Sequence, residues 1–154
     1  MSDRRTIDDF LACRRLAVVG VSSNPTDFSR NLFRELLRRG YDLVPVHPRA
    51  VDIEGRRAVP TLRELRQPVD GALVMTPPRA SADVVRDCAA AGIPRVWLHR
   101  GAGQGSVTTE AVALCREHGL ACIPGECPFM FLRDTGWIHR LHGVVKRLGG
   151  GYPH

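Results

Sequence analysis

Arg15-Leu16-Ala17-Val18-Val19-Gly20-Val21-Ser22-Ser23-Asn24-Pro25 passes from an unbroken apolar run straight into a run of turn formers. An apolar run this short, without polar alternation, predicts a strand buried on both faces, as in a parallel sheet covered by helices. Ser-Ser-Asn-Pro marks where the chain leaves it. Residues 29–39 follow with Leu32, Phe33, Leu36 and Leu37 on one helical face, and Gly40 stands where a helix would stop. Strand, turn and helix in that order are the opening of a βαβ unit, and this stretch decides the fold.

The pattern recurs along the chain. Residues 42–46 predict a second strand, ending at His47-Pro48-Arg49, and the polar stretch 50–58 predicts a loop. Thr61 is placed to cap a short helix over 62–66, with Glu64 in its first turn. Strands are predicted over 71–75, before Thr76-Pro77-Pro78, over 95–98, before His99-Arg100, and over 120–123, before Pro124-Gly125-Glu126-Cys127. Helices are predicted over 81–91 and 107–118, closed by Gly92 and Gly119, and a short one near 7–13 packs across the sheet. A last amphipathic segment, 137–148, places Ile138, Leu141, Val144, Val145 and Leu148 on one side. Strands alternating with helices of about ten residues imply right-handed crossovers and a doubly wound α/β domain with helices on both faces. The expectation is one domain over 1–148 and a loose tail over 149–154.

The bulk properties agree. A chain of 154 residues, 44% hydrophobic, can bury one core. No apolar run approaches the ~20 residues of a membrane span, and Met1-Ser2-Asp3-Arg4-Arg5 opens no signal-like apolar stretch. A cytoplasmic location is therefore expected. Net charge is +6 and almost wholly arginine, Lys146 being the one lysine. Guanidinium groups suit phosphate and carboxylate, so an anionic ligand is one reading; solvated helix faces are the other. Nucleic acid is not expected, for there is no dense basic run, aromatic-basic motif or zinc-finger spacing. Five cysteines without a CxxC suggest reduced thiols, with Cys13, Cys88 and Cys115 as small core residues.

In an open parallel sheet, ligands sit beyond the carboxyl ends of the strands, where strand order reverses. The residues predicted there are Gly20, Ser22, Ser23 and Asn24, with Ser29 and Arg30 just beyond, then His47, Pro48 and Arg49, then Thr76, Pro77 and Pro78, then His99. The first loop lacks the GxGxxG of dinucleotide binders, but one glycine, hydroxyls and amides near a helix start can hold a pyrophosphate. The second strand ends without the acidic residue that reads an NAD ribose, none occurring until Asp52. Arg49 there suits a ribose phosphate, which coenzyme A and NADP carry and NAD lacks. Two prolines after Thr76 remove two N–H donors and fix a rigid apolar ledge, which suits either an adenine or a pantetheine arm, or a stiff turn.

These segments resemble the CoA-binding domain family, comprising small stand-alone bacterial proteins and the related N-terminal domain of the succinyl-CoA synthetase α subunit. The resemblance rests on Ala17-Val18-Val19-Gly20-Val21-Ser22 with Asn24-Pro25, on Gly40-Tyr41-Asp42-Leu43-Val44-Pro45-Val46-His47-Pro48-Arg49, and on Thr76-Pro77-Pro78, Val96-Trp97-Leu98-His99 and Gly119-Leu120, in the family's order. It implies a Rossmann-like three-layer sandwich, with a five-stranded parallel sheet and coenzyme A over its strand ends. It also implies that Gly20, Ser22, Ser23 and Asn24 cradle the pyrophosphate, that Arg49 meets the 3′-phosphoadenosine end, and that Thr76 and Pro77 line the nucleotide. Arg30 or Arg100 is placed to add positive charge.

The expected role is binding without catalysis. One alternative is an NADP-linked oxidoreductase. Another is a nucleotide-binding redox protein with Cys127 as a reactive thiol beside Glu126 and His99, a set that His139 would complete. A metal site joining His139 and His142 to Cys122 or Cys127 is less favoured, since an i, i+3 pair is common by chance. Trp137 and the run Phe129-Met130-Phe131 suggest a homodimer surface.

Overall fold

A computed structural model describes residues 3–100 and 105–132. Five parallel strands form the central sheet: β1 (Arg15–Val19), β2 (Asp42–Val46), β5 (Gly71–Val74), β6 (Arg95–Leu98) and β7 (Ala121–Pro124). Their spatial order is β2-β1-β5-β6-β7, with Leu16 beside Leu43 on one side and Gly71 on the other. The chain runs from β1 outward to β2, then crosses back to β5 on the opposite flank of β1. Strand order reverses there, so the carboxyl ends of β1 and β5 border the crevice where doubly wound folds place ligands.

Alternation along each buried strand divides the core in two. Ala17, Val19, Ala72, Val74, Val96 and Leu98 face α3 (Pro78–Ala90) and α4 (Thr109–Glu117), meeting Val85, Cys88, Ala111 and Cys115. Leu16, Val18, Leu73, Trp97 and Ile123 face α1 (Arg4–Leu11), α2 (Phe28–Arg38) and α5 (Pro128–Leu132), meeting Phe10, Leu32, Phe33 and Leu132. The doubly wound α/β expectation is thus the observed fold. Cys88 and Cys115 are core residues as read from sequence, whereas Cys13 is only half-buried. Among the described residues no helix is long and apolar enough to cross a membrane.

Several boundaries move for identifiable reasons. The stretch predicted as loop holds a small antiparallel hairpin, β3 (Asp52–Ile53) and β4 (Arg56–Arg57). Its two-residue turn, Glu54-Gly55, has φ of 50° and 79°, the doubly positive pattern that matches hairpin twist; Ile53 is buried beneath it. The helix predicted over 62–66 is a single 3-10 turn, Leu62–Glu64, and Thr61 makes no side-chain capping bond. The turn stops at Leu65, whose backbone is extended, with φ of −62° and ψ of 128°. Helix α3 starts at Pro78, earlier than read, because proline at the first helical position forfeits only an amide that would be orphaned anyway. The N-terminal helix is likewise earlier, capped by Asp3. The amphipathic segment 137–148 and the tail lie outside the described residues.

Candidate functional site

The loop after β1 begins with a glycine that the neighbouring strand demands. Gly20 has φ of +91°, and a Cβ there would stand 2.7 Å from the Met75 carbonyl carbon and oxygen and 2.8 Å from the Thr76 nitrogen. The Met75 amide donates to the Val19 carbonyl at 2.7 Å, continuing the β1–β5 ladder to the crevice. Gly20 therefore lets two strand ends meet, a reason internal to the fold.

Beyond it the chain bonds to itself. The Ser22 amide donates to Ser29 Oγ at 2.8 Å, and that hydroxyl donates to Asp27 Oδ1 at 3.0 Å. Asp27 caps α2 by accepting from the Ser29 amide at 2.9 Å. The Asn24 amide donates to Ser22 Oγ, and the Asn24 side-chain oxygen accepts from the Thr26 amide and hydroxyl. Most of the amides and hydroxyls read from sequence as available to a ligand are thus engaged inside the loop.

Ser23 is the exception, and Arg30 explains it. Arg30 Nη1 donates to the carbonyl oxygens of Ser22 at 3.3 Å and Ser23 at 3.2 Å. A trans peptide points its N–H opposite to its C=O, so drawing the Ser22 carbonyl inward turns the Ser23 amide outward. Ser23 is exposed, and its amide has no partner among the described residues. Arg30 itself, only 12% exposed, is closed off by Glu54, which accepts from its Nε at 3.1 Å. It braces the loop and does not project into the crevice.

The turn after β2 is the reverse case. His47 Nδ1 accepts from the amides of Arg49 at 3.0 Å and Ala50 at 2.9 Å, so this nitrogen is unprotonated and the ring staples the turn. The His47 amide donates to Val59 at 2.9 Å, tying the base of the turn to the chain beyond the hairpin. Pro48 and Arg49 are exposed, and the Arg49 side chain has no partner among the described residues.

After β5, the Thr76 carbonyl accepts from Ser106 Oγ at 2.6 Å, and Thr76 Oγ1 lies 3.3 Å from the buried Ser81 Oγ. Pro77 and Pro78 then start α3 without a side-chain cap. After β6, His99 is walled by Phe28, ring centroids 5.5 Å apart, and Phe28 meets Phe129 edge-on at 5.5 Å. His99 Nε2 is enclosed with no hydrogen-bond partner among the described residues, and burial pushes the imidazole pKa below its usual value. After β7, Glu126 adopts φ of 68°, held there by a carbonyl that accepts from Trp97 Nε1 and the Arg100 amide, each at 3.1 Å.

All the sequence-predicted positions therefore lie on one edge. Arg49, Ser23, Thr76 and His99 follow β2, β1, β5 and β6, neighbours in the sheet, so they span three strand spacings, roughly 14 Å. The thiol set is not assembled in the same way: no hydrogen bond joins Cys127 to His99 or Glu126, and His139 lies outside the described residues. Burial pushes the Cys88 thiol up to about 12. Three contributors escaped the sequence reading. Phe28 could have been suspected as a large apolar residue beside turn formers, whereas Glu54 and Ser106 carry no local signal. A cavity of about 600 Å³ lined by Arg14, Arg39, Tyr41 and Phe131 opens at the starts of β1 and β2, the opposite edge, where the C-terminal ends of α1 and α2 meet the strands.

The chain is similar to known proteins over most of its length. The sequence profile of a family described as "CoA binding domain" matches residues 14–133. An uncharacterized Bacillus subtilis protein, YneT, is 30% identical over 114 residues, covering 74% of this chain and 82% of its own. The α subunit of an ADP-forming acetate–CoA ligase II from Pyrococcus furiosus is 25% identical over 129 residues; the match covers 79% of this chain but 28% of that subunit. Among solved structures, cell-free ID.343 from Thermus thermophilus superposes with a TM-score of 0.73 at 26% identity, covering 87% of this chain and 98% of that one.

Proposed function

Because the chain belongs to the CoA-binding domain family, we propose that it holds coenzyme A across the carboxyl ends of β2, β1, β5 and β6. Arg49 takes the 3′-phosphate. The outward Ser23 amide and hydroxyl, with Asn24 beside them, take the pyrophosphate, on a backbone shaped by Gly20 and braced by Ser22, Ser29 and Arg30. His47 and Pro48 set the direction of Arg49. The Thr76-Pro77-Pro78 ledge carries the apolar body of the ligand, and His99 closes the far side of the edge. The role is retention of the ligand or its acyl thioester, in a cytoplasmic setting. No catalytic residue is assigned, and the ligase chemistry of the larger relative is not carried over.

The single observation that carries this reading is Arg49, an exposed guanidinium without a partner among the described residues, at a strand end lacking the acidic residue of NAD sites. A phosphate held by arginine makes charge-assisted, often bidentate contacts. Thermal-shift titration with coenzyme A, 3′-dephospho-CoA, NADP and NAD tests it. Coenzyme A should raise the melting temperature most, and ligand at a hundred times Kd stabilises by about 2.7 kcal/mol. Arg49→Gln should abolish the preference for coenzyme A over its dephospho form. No shift at millimolar coenzyme A would sink the reading, and a larger shift with NADP would favour the oxidoreductase alternative.

A further inference from the structure

The hairpin between Arg49 and β5 is tied to the loop after β1 by one carboxylate. Glu54 Oε2 accepts from Arg30 Nε and Nη2 and forms an ion pair with Arg34 Nη2 at 3.0 Å. Arg30 passes this hold on to the carbonyls of Ser22 and Ser23, and Arg34 to that of Pro25 at 2.8 Å. One oxygen is thus linked through two guanidinium groups to the carbonyls that orient the loop. Glu54 reaches them because it sits at the hairpin tip with positive φ, over the buried anchor Ile53.

The other end of the hairpin secures the turn bearing Arg49. The Ala58 amide donates to Val51 at 2.8 Å and the His47 amide to Val59 at 2.9 Å, so the chain on both sides of Arg49 is bonded to the strand returning from the tip. The two guanidinium groups, Arg30 first and Arg34 second, hold the Glu54 carboxyl below the usual carboxylate range, so its charge persists at neutral pH. Nothing in this arrangement requires Glu54 to touch a ligand.

We propose that Glu54 is a positioning residue which, through Arg30 and Arg34, fixes the distance between the loop after β1 and the Arg49 turn, and so pre-organises the site for a ligand with two separated anionic groups. The proposal rests on the coenzyme A reading above. Pre-organisation benefits a ligand that engages both pieces at once far more than one that engages a single piece.

Isothermal titration of the full chain with coenzyme A and with 3′-dephospho-CoA tests it. Glu54→Gln should weaken coenzyme A about tenfold, the scale of one charge-assisted contact, and the dephospho ligand about twofold or less. In an Arg49→Gln background, Glu54→Gln should affect the two ligands equally. If Glu54→Gln lowers thermal stability, Arg34→Gln, which removes the Arg34 link between Glu54 and Pro25 but leaves the Arg30 link to Ser22 and Ser23 in place, should show the same asymmetry in smaller measure. Equal losses for both ligands, or none, would overturn the proposal while leaving coenzyme A binding intact. Failure of the unaltered protein to bind either ligand would instead overturn the coenzyme A reading, and this proposal with it.

Discussion

The loops after β1 and β5 flank the same crevice and achieve order by opposite means. The first is polar and self-bonded: Ser22, Asn24, Asp27 and Ser29 satisfy one another, with Arg30 beneath. The second gives up two donors to proline, since Pro77 and Pro78 have no amide hydrogen, and no side chain caps α3 behind them. One is held by hydrogen bonds that can be removed singly; the other by ring constraints already present in the unfolded chain. A ligand crossing both meets oriented donors on one side and a stiff apolar surface on the other.

The sharpest way to break the comparison is at the point the loops share. Gly20→Ala combines a left-handed backbone with a Cβ driven into Met75 and Thr76. It should cost about 3 kcal/mol or more in urea denaturation, with loss of the crevice. A near-neutral result would mean that the strand ends do not need this close approach.

Asp27 isolates the hydrogen-bonded loop. Asp27→Ala removes the cap of α2 and the acceptor of Ser29, and should cost about 1 kcal/mol. Asp27→Asn keeps a good capping oxygen while deleting a negative charge near the proposed pyrophosphate. Stability should be nearly unchanged and coenzyme A affinity should rise about twofold, the scale of an exposed charge interaction. Weaker binding by the Asn variant would place the pyrophosphate elsewhere.

Pro78→Ala gives the smallest effect and sharpens the contrast. Restoring backbone freedom to the unfolded chain should cost about 0.5 kcal/mol in thermal melts, with ligand affinity unchanged within about twofold. A large loss of affinity would show that the second loop contributes more than rigidity.

Much of the fold was legible because its signals are local. The apolar runs at Ala17-Val18-Val19 and Ala72-Leu73-Val74, the helical spacing of Leu32, Phe33 and Leu36, and Gly40 after the helix each report a backbone state within a few residues. The β3–β4 hairpin was not legible: each strand has two residues, and Glu-Gly is not among the stronger turn pairs. The site divided in the same way. Arg49 is marked as a candidate by its place after a strand and by the acidic residue absent beside it. Phe28, Glu54 and Ser106 were missed because their partners lie 20 to 101 positions away, on elements that only the folded sheet brings near.

Local signals in the sequence set the alternation of strands and helices, and hence a parallel sheet with its turn-forming residues gathered on one edge, because burial and turn chemistry act over short stretches of chain. Only the tertiary structure decided which groups on that edge are available. It engaged Ser22, Ser29 and Arg30 within the fold and left Ser23 and Arg49 outward. The physical reason is that a polar group's availability depends on whether another part of the chain reaches it first.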